Sequence, residues 1–415
     1  MRPIGFAETL QCVWLFGRLF VGRFQELARV RNAVRRIVPQ RRDATSTDSR
    51  QLLVDVSVLV RHDAGTGIQR ATKELLRELA AAPPAGYVVR IVQATRWLSY
   101  RYVDLSDRCP KVQAKSGDIF LGLDLTSRVM PRHQLQLLRW RAAGVRLCVV
   151  MHDLLPLRRP AWFTRRNARA YRAWIRTVAV HADLVVCVSR SVAEQLKAWL
   201  ADQAVDPKLA PEIGWFHHGT RMPTGSGALQ ISARIGTITQ RPFVLLVGTI
   251  EPRKGHAMVL DAFEAIWQGG DAMQLVLVGR TGWKVDRLVA RLRNHAEAGA
   301  RLHWIDDADD DTLRILYERS SGVLVASEDE GFGLPILEAA VHGKPLLIRD
   351  LPVFREVAAD GAAFFRAETT RHFIEELREW LAQLALGSAV PSATIAVQTW
   401  TQSARQMLDQ VLRLD

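Results

Sequence analysis

No stretch of the 415-residue chain approaches the roughly 20 uninterrupted apolar residues that a membrane-spanning helix requires. The best candidate, Cys12 to Phe24, is broken by Arg18 and Arg23 and lacks the small-residue cleavage site of a secretory signal. Cysteine is scarce as well. Cys12, Cys109, Cys148 and Cys187 contain no Cys-x-x-Cys pair, which argues against a zinc site or a disulfide framework and fits a reducing cytosol. Acidic residues are in deficit, 43 against 56 lysines and arginines, leaving a formal charge of +13 and a pI near 10.1. That imbalance points to an anionic partner, which by charge alone is equally a nucleic acid, a membrane surface or a phosphorylated substrate. Apolar residues are not lacking: at 48% they suffice for ordinary cores and exclude disorder for most of the chain.

The charge is unevenly spread. Residues 1–50 hold ten arginines and four acids, and within them Val13, Phe16, Phe20, Phe24, Leu27, Val30 and Val34 recur at helical steps of three and four. A basic amphipathic helix of this kind either lies in an anionic membrane interface or packs on the protein's own surface, and the pattern leaves both readings open. The polar run 40–50 reads as a linker.

From residue 51 to about 215, strand-like runs alternate with helical patterns. Strands are expected at Leu52 to Val56, Tyr87 to Gln93, Asp118 to Leu121, Val145 to Met151 and Ala182 to Val188. Such alternation predicts an α/β domain with a parallel sheet covered on both faces. Weaker periodicity over 216–241 predicts an interdomain linker. A second alternating series over 242–392, from Phe243 to Phe365, predicts a second domain of the same kind, and 393–415 reads as a helix crossing back to the first. Two such halves are expected to face each other across a cleft at the carboxyl ends of their strands.

Four segments carry the chemistry. Ser327-Glu328-Asp329-Glu330-Gly331-Phe332-Gly333-Leu334-Pro335 runs from a strand into a helix whose first turn holds a proline, so the amides around Phe332, Gly333 and Leu334 are placed to receive an anion. Glu330 precedes that helix and Glu338 lies inside it, with seven residues between them. The run Val247-Gly248-Thr249-Ile250-Glu251-Pro252-Arg253-Lys254-Gly255 sets a guanidinium and an ammonium on a strand-to-helix loop, a pair suited to a diphosphate. Gly65-Thr66-Gly67-Ile68-Gln69-Arg70 opens a helix after the first strand of the first half, and His152-Asp153-Leu154-Leu155-Pro156 follows a strand end. By itself His152 reads equally as a satisfied structural histidine.

The Glu330 to Glu338 spacing, with its glycines and proline, resembles the E-x7-E signature of the family-4 retaining glycosyltransferases, which have the GT-B fold of two Rossmann-like domains. The Thr-Gly-Ile-Gln-Arg and His-Asp-Leu-x-Pro elements resemble those of bacterial polysaccharide glycosyltransferases, and with Glu-Pro-Arg-Lys they are most similar to mannosyltransferases. The resemblance covers about Gln51 to Leu412. It implies that Glu330 lies beside the donor sugar, that Glu338 binds the ribose hydroxyls, and that Arg253 and Lys254 hold the diphosphate with Gly248 and Thr249. Some members carry an arginine where this chain has Thr249. It further implies His152 near the transferred sugar, Gly65 and Gly67 at the donor, and sugar and phosphate contacts from the amides of Phe332 to Leu334.

The resemblance also implies no cofactor and no metal. It points to a sugar nucleotide donor, with GDP-mannose favoured, and to a glycan or polyprenyl-pyrophosphate-linked acceptor of bacterial surface polysaccharide synthesis. The expected place is the cytoplasm, peripheral on the inner face of the plasma membrane if the N-terminal helix takes its membrane reading. Three alternatives remain: a GT-B epimerase, a phosphorylase, and a non-catalytic basic protein that binds membrane or nucleic acid. The segment Arg158 to Arg176, with seven arginines, no acid, and Trp162, Phe163, Tyr171 and Trp174, has a pattern that could hold single-stranded nucleic acid, but in the GT-B setting it more naturally faces anionic lipid or a pyrophosphate-linked acceptor. Acids from Asp306 to Asp311 imitate a cation site, but they read better as the capped start of a helix.

Overall fold

The structure, a computed structural model, describes residues 6–21, 49–61, 65–103, 109–222 and 232–413. The expected helical positions Phe24, Leu27, Val30 and Val34 and most of the first linker lie outside the described residues. The chain divides into two compact units, the first built from Met1–His218 with Trp400–Asp415 and the second from Gly219–Thr399.

The first unit comprises α1 (Phe6–Val21), β1 (Arg50–Asp55), α2 (Gly67–Ala81), β2 (Tyr87–Gln93), β3 (Arg101–Tyr102), β4 (Ile119–Gly122), α3 (Gln134–Ala142), β5 (Arg146–Met151), α4 (Leu155–Arg158), α5 (Arg165–His181), β6 (Leu184–Cys187), α6 (Arg190–Asp202), β7 (Glu212–Trp215) and α14 (Trp400–Leu412). Its sheet runs β3-β2-β1-β4-β5-β6-β7, parallel except for the short antiparallel edge β3. β4, β5 and β6 are buried along their whole length, as strands covered on both faces must be. Strands β3 and β7 carry no legible pattern: one has two residues, and the other is only partly buried. The last helix begins at Trp400, after a 3-10 turn at Ser392–Thr394, rather than at residue 393, and it packs in this unit against α2 and β6.

A buried ion pair holds the middle of this sheet. Arg141 on α3 bonds Asp183 just before β6, and the second carboxylate oxygen accepts the Leu147 amide of β5 at 3.0 Å. Both side chains are more than nine-tenths buried.

Helix α1 turns Phe16 inward, where its ring meets His181 at 5.2 Å, and buries Cys12. Val13, expected on the same face as Phe16, is 46% exposed and joins Leu10 and Trp14 in an outward stripe. The helix thus buries Cys12 and Phe16 and exposes Leu10, Val13 and Trp14 on a second apolar face.

The second unit comprises α7 (Ala233–Ile238), β8 (Phe243–Val247), α8 (His256–Gln268), β9 (Gln274–Val278), α9 (Asp286–Arg293), β10 (Leu302–Ile305), α10 (Asp310–Arg319), β11 (Gly322–Val325), α11 (Leu334–Val341), β12 (Leu346–Arg349), α12 (Pro352–Ala358), β13 (Ala363–Phe365) and α13 (Thr370–Leu386). The sheet order is β10-β9-β8-β11-β12-β13, with every pair parallel. Strand order therefore reverses between β8 and β11, and a crevice opens at their carboxyl ends, where open parallel sheets bind ligands. Asp309 caps α10 by accepting the Thr312 amide at 2.8 Å, and Asp310 and Asp311 fill its first turn, so the acid run is a helix start.

Removing Asp183 leaves Arg141 as an uncompensated buried charge. We expect Asp183→Ala to cost about 3–5 kcal/mol in urea unfolding, with Asp183→Asn milder because the amide oxygen keeps an acceptor for Leu147.

Candidate functional site

The site assembles at the reversal point of the second sheet. Residues 248–255 leave β8 and enter α8, and residues 326–333 leave β11 and enter α11. Both helices begin on a glycine with left-handed backbone, Gly255 at φ 73° and Gly333 at φ 107°. A Cβ on Gly255 would stand 2.4 Å from the Ala326 carbonyl oxygen, and one on Gly333 would stand 2.8 Å from the Phe354 ring. Glycine is therefore required at the start of each helix, by conformation and by space. The Glu328 amide donates to the Arg253 carbonyl at 2.7 Å and ties the two loops together.

Across this junction Arg253, Lys254 and Glu330 form one charge cluster. Arg253 Nη1 lies 2.8 Å from Glu330 Oε2, Lys254 pairs with Oε1, and Ser327 donates its hydroxyl to Oε1 at 3.1 Å. Burial alone would raise the Glu330 pKa. The two cations outweigh it, and the carboxyl falls to about 2. The Lys254 chain lies across Gly248, with its Cε 3.4 Å from where a Cβ there would sit. His256 opens α8 fully buried, its pKa brought down to about 3 first by burial and then by Lys254, so it adds no charge.

The structure brings Gly248, Arg253, Lys254, Glu330 and Gly333 to one end of the sheet. Thr249 is half-buried beside them, and Phe332 points its ring inward at 4% exposure, leaving only its backbone for a ligand. Glu338 lies one turn inside α11, half-buried, and accepts a bond from Tyr317. A cavity of about 430 Å³ borders the β8 loop through Glu251, Pro252, Gly255 and His256, but its lining includes none of Lys254, Gly333 and Glu338.

Sequence reasoning passed over Glu251, which is 3% exposed and accepts Arg253 Nε at 2.9 Å, holding the guanidinium from behind. Its place in the Glu-Pro-Arg-Lys run was the available signal.

The remaining candidates belong to the first unit. Gly65 and Gly67 flank Thr66, which caps α2 in a reciprocal pair with Gln69. His152 follows β5, 5% exposed. Its Nε2 meets the Leu123 carbonyl at 3.0 Å, which makes that nitrogen the donor and Nδ1 the acceptor, and Nδ1 has no bonding partner among the described residues. Burial lowers its pKa, against the Leu123 bond and Asp124, so the ring is neutral. Around it stand residues that sequence reasoning missed. Asp124 follows β4 and accepts the Val58 and Leu59 amides, and Asp55 ends β1, accepting Ser57 and, at 2.9 Å, the Tyr100 hydroxyl. Asp55 is fully buried, and that burial drives its pKa up to about 7, with Asp124 adding to the rise.

The nucleic-acid reading of 158–176 fails on α5. Tyr171 and Trp174 are 2% and 0% exposed and pack in the core, so they offer no base a stacking face. The arginines of the same helix, Arg165, Arg166, Arg169 and Arg172, are exposed, an ordinary solvated face. Among the described residues no group of three or more His, Cys, Asp or Glu side chains is placed to hold a metal ion.

Comparison with known proteins then places these features. Residues 230–386 match the family model described as glycosyl transferases group 1. The chain is 39% identical over 387 residues to the serotype-specific mannosyltransferase WbdA of Escherichia coli, across 88% of this chain and 46% of the relative. It thus spans about half the length of that curated relative. In fold it resembles sucrose-phosphate synthase from Thermosynechococcus elongatus, with a TM-score of 0.62 at 16% identity over 88% of this chain and 99% of the other. It also resembles Anabaena HepE in complex with UDP and glucose, with a TM-score of 0.59 at 14% identity over 87% and 99%. These likenesses assign the GT-B fold.

Because the Asp55 carboxyl titrates near 7 in the folded chain and near 3.8 when unfolded, the folded state holds the extra proton between those values. Stability from this group is complete below about pH 4 and is lost as pH rises through about 7. Urea midpoints should fall from pH 5 to pH 8 in the parent, and Asp55→Asn should flatten that decline.

Proposed function

We propose, from the match of residues 230–386 to the group 1 glycosyl transferase model, that the protein transfers a hexose from a sugar nucleotide to a glycan or lipid-linked acceptor in bacterial surface polysaccharide synthesis. The observation that carries the reading is the Arg253–Lys254–Glu330 cluster at the reversal point of a parallel sheet. Two cations held on a rigid strand-to-helix loop suit the charge that grows on a departing diphosphate, a form of electrostatic stabilisation by groups oriented beforehand. Glu330, ionised at any physiological pH, is fit to accept hydrogen bonds from sugar hydroxyls. Glu338 takes the ribose in this reading, and the amides of Phe332, Gly333 and Leu334 at the mouth of α11 take phosphate or sugar oxygens.

The donor is GDP-mannose in this reading, supported by the mannosyltransferase relative. His152, neutral and with Nδ1 as an acceptor, would receive a hydroxyl of the transferred sugar. Gly65 and Gly67 would let the backbone approach the donor. Transfer retains the anomeric configuration and draws its positive charge from Arg253 and Lys254. The acceptor is a glycan or a polyprenyl-pyrophosphate-linked chain, and the exposed Leu10, Val13 and Trp14 stripe of α1 rests on an anionic membrane.

Incubation with a panel of sugar nucleotides tests the core of this reading. GDP release should be fastest from GDP-mannose, with mannose appearing on the acceptor rather than on phosphate or as an epimer. Lys254→Ala and Glu338→Ala should each slow release by about 100-fold or more. If both variants match the parent, the assignment is wrong. Separately, Leu10→Ser with Trp14→Ser should weaken sedimentation with anionic vesicles while leaving activity on a soluble acceptor intact. Unchanged sedimentation removes the membrane contact.

A further inference from the structure

Glu338 does not stand alone on α11. Tyr317, on the last turns of α10, is 2% exposed and donates its hydroxyl to Glu338 Oε2 at 2.7 Å. Its ring lies parallel to the His342 imidazole, with centroids 5.5 Å apart and planes 3° from coplanar orientation. His342 follows α11, four residues after Glu338, so the phenol is held by stacking at one end of a helical turn and bonds the carboxylate at the other.

A buried phenol that donates to a carboxylate makes a short, charge-assisted bond. Such a bond selects one rotamer for a glutamate that otherwise has three rotatable torsions. The acceptor capacity of a carboxylate, about four lone-pair sites on two oxygens, exceeds what one phenol proton uses. Two neighbouring hydroxyls approaching a carboxylate fixed in this way meet acceptors already in place, with less rotamer entropy to lose.

We propose that Tyr317 is the positioning residue for Glu338, presetting that carboxylate for the vicinal hydroxyls of the donor's ribose. The proposal rests on the reading above that Glu338 binds the ribose. Tyr317 acts through Glu338 and does not itself touch the nucleotide, so its effect falls on ribose recognition and not on the diphosphate.

The test compares the affinity of the full chain for GDP and for 2′,3′-dideoxy-GDP in the parent, Glu338→Ala and Tyr317→Phe. The parent should prefer GDP, Glu338→Ala should abolish the preference, and Tyr317→Phe should reduce it about tenfold. In turnover, Tyr317→Phe should raise KM for the sugar nucleotide with kcat little changed. The preference is a ratio of two affinities of one folded population, so partial unfolding of the variant does not distort it. Equal weakening of both ligands by Tyr317→Phe would mean a merely structural role and overturn the proposal. So would a parent-like preference in Tyr317→Phe beside a flat Glu338→Ala. A parent-like preference in Glu338→Ala would instead remove the ribose reading, and the proposal with it.

Discussion

The second unit is organised around one electrostatic constraint: Glu330 is ionised among Arg253 and Lys254 at the carboxyl ends of β8 and β11. Like charges on adjacent residues repel, and a carboxylate at 12% side-chain exposure pays for lost hydration. Neither state is stable without the other. The cluster therefore requires both loops to hold their course, which is why each enters its helix through a left-handed glycine with no room for a side chain. Glu251 and Ser327 complete the arrangement from opposite sides, one on the guanidinium and one on the carboxylate.

This arrangement has a chemical consequence for the proposed transfer. An anionic diphosphate entering beside Arg253 and Lys254 would compete with Glu330 for the same donors and would release the carboxylate toward whatever the diphosphate carries. In that proposal the three side chains that compensate one another's charge would also be the ones that recognise the donor. In the first unit the logic is different. There the carboxyl ends of β1, β4 and β5 gather Asp55, Asp124 and His152 under heavy burial, which raises the pKa of both carboxyls and lowers that of the imidazole.

The sequence by itself determined the fold class and most of the strands. Runs such as Tyr87–Gln93, Gln274–Val278 and Leu302–Ile305 are apolar, short and bounded by turn residues, and the structure has strands at those same residues. It also determined the chemical character of the site, because glycines, a proline, two cations and two glutamates sit within contiguous segments whose local geometry depends on near neighbours. What only the tertiary structure decided are the relations between residues far apart in the chain: Lys254 with Glu330, 76 residues on, Tyr317 with Glu338, and Arg141 with Asp183. Likewise the pattern put Val13 and Phe16 on one face, whereas Val13 is exposed while Phe16 finds His181, and Tyr171 and Trp174 of an arginine-rich helix turn inward. Periodicity reports which residues share a face. Which of two apolar faces is covered depends on the neighbour that arrives, and that neighbour is supplied by the fold.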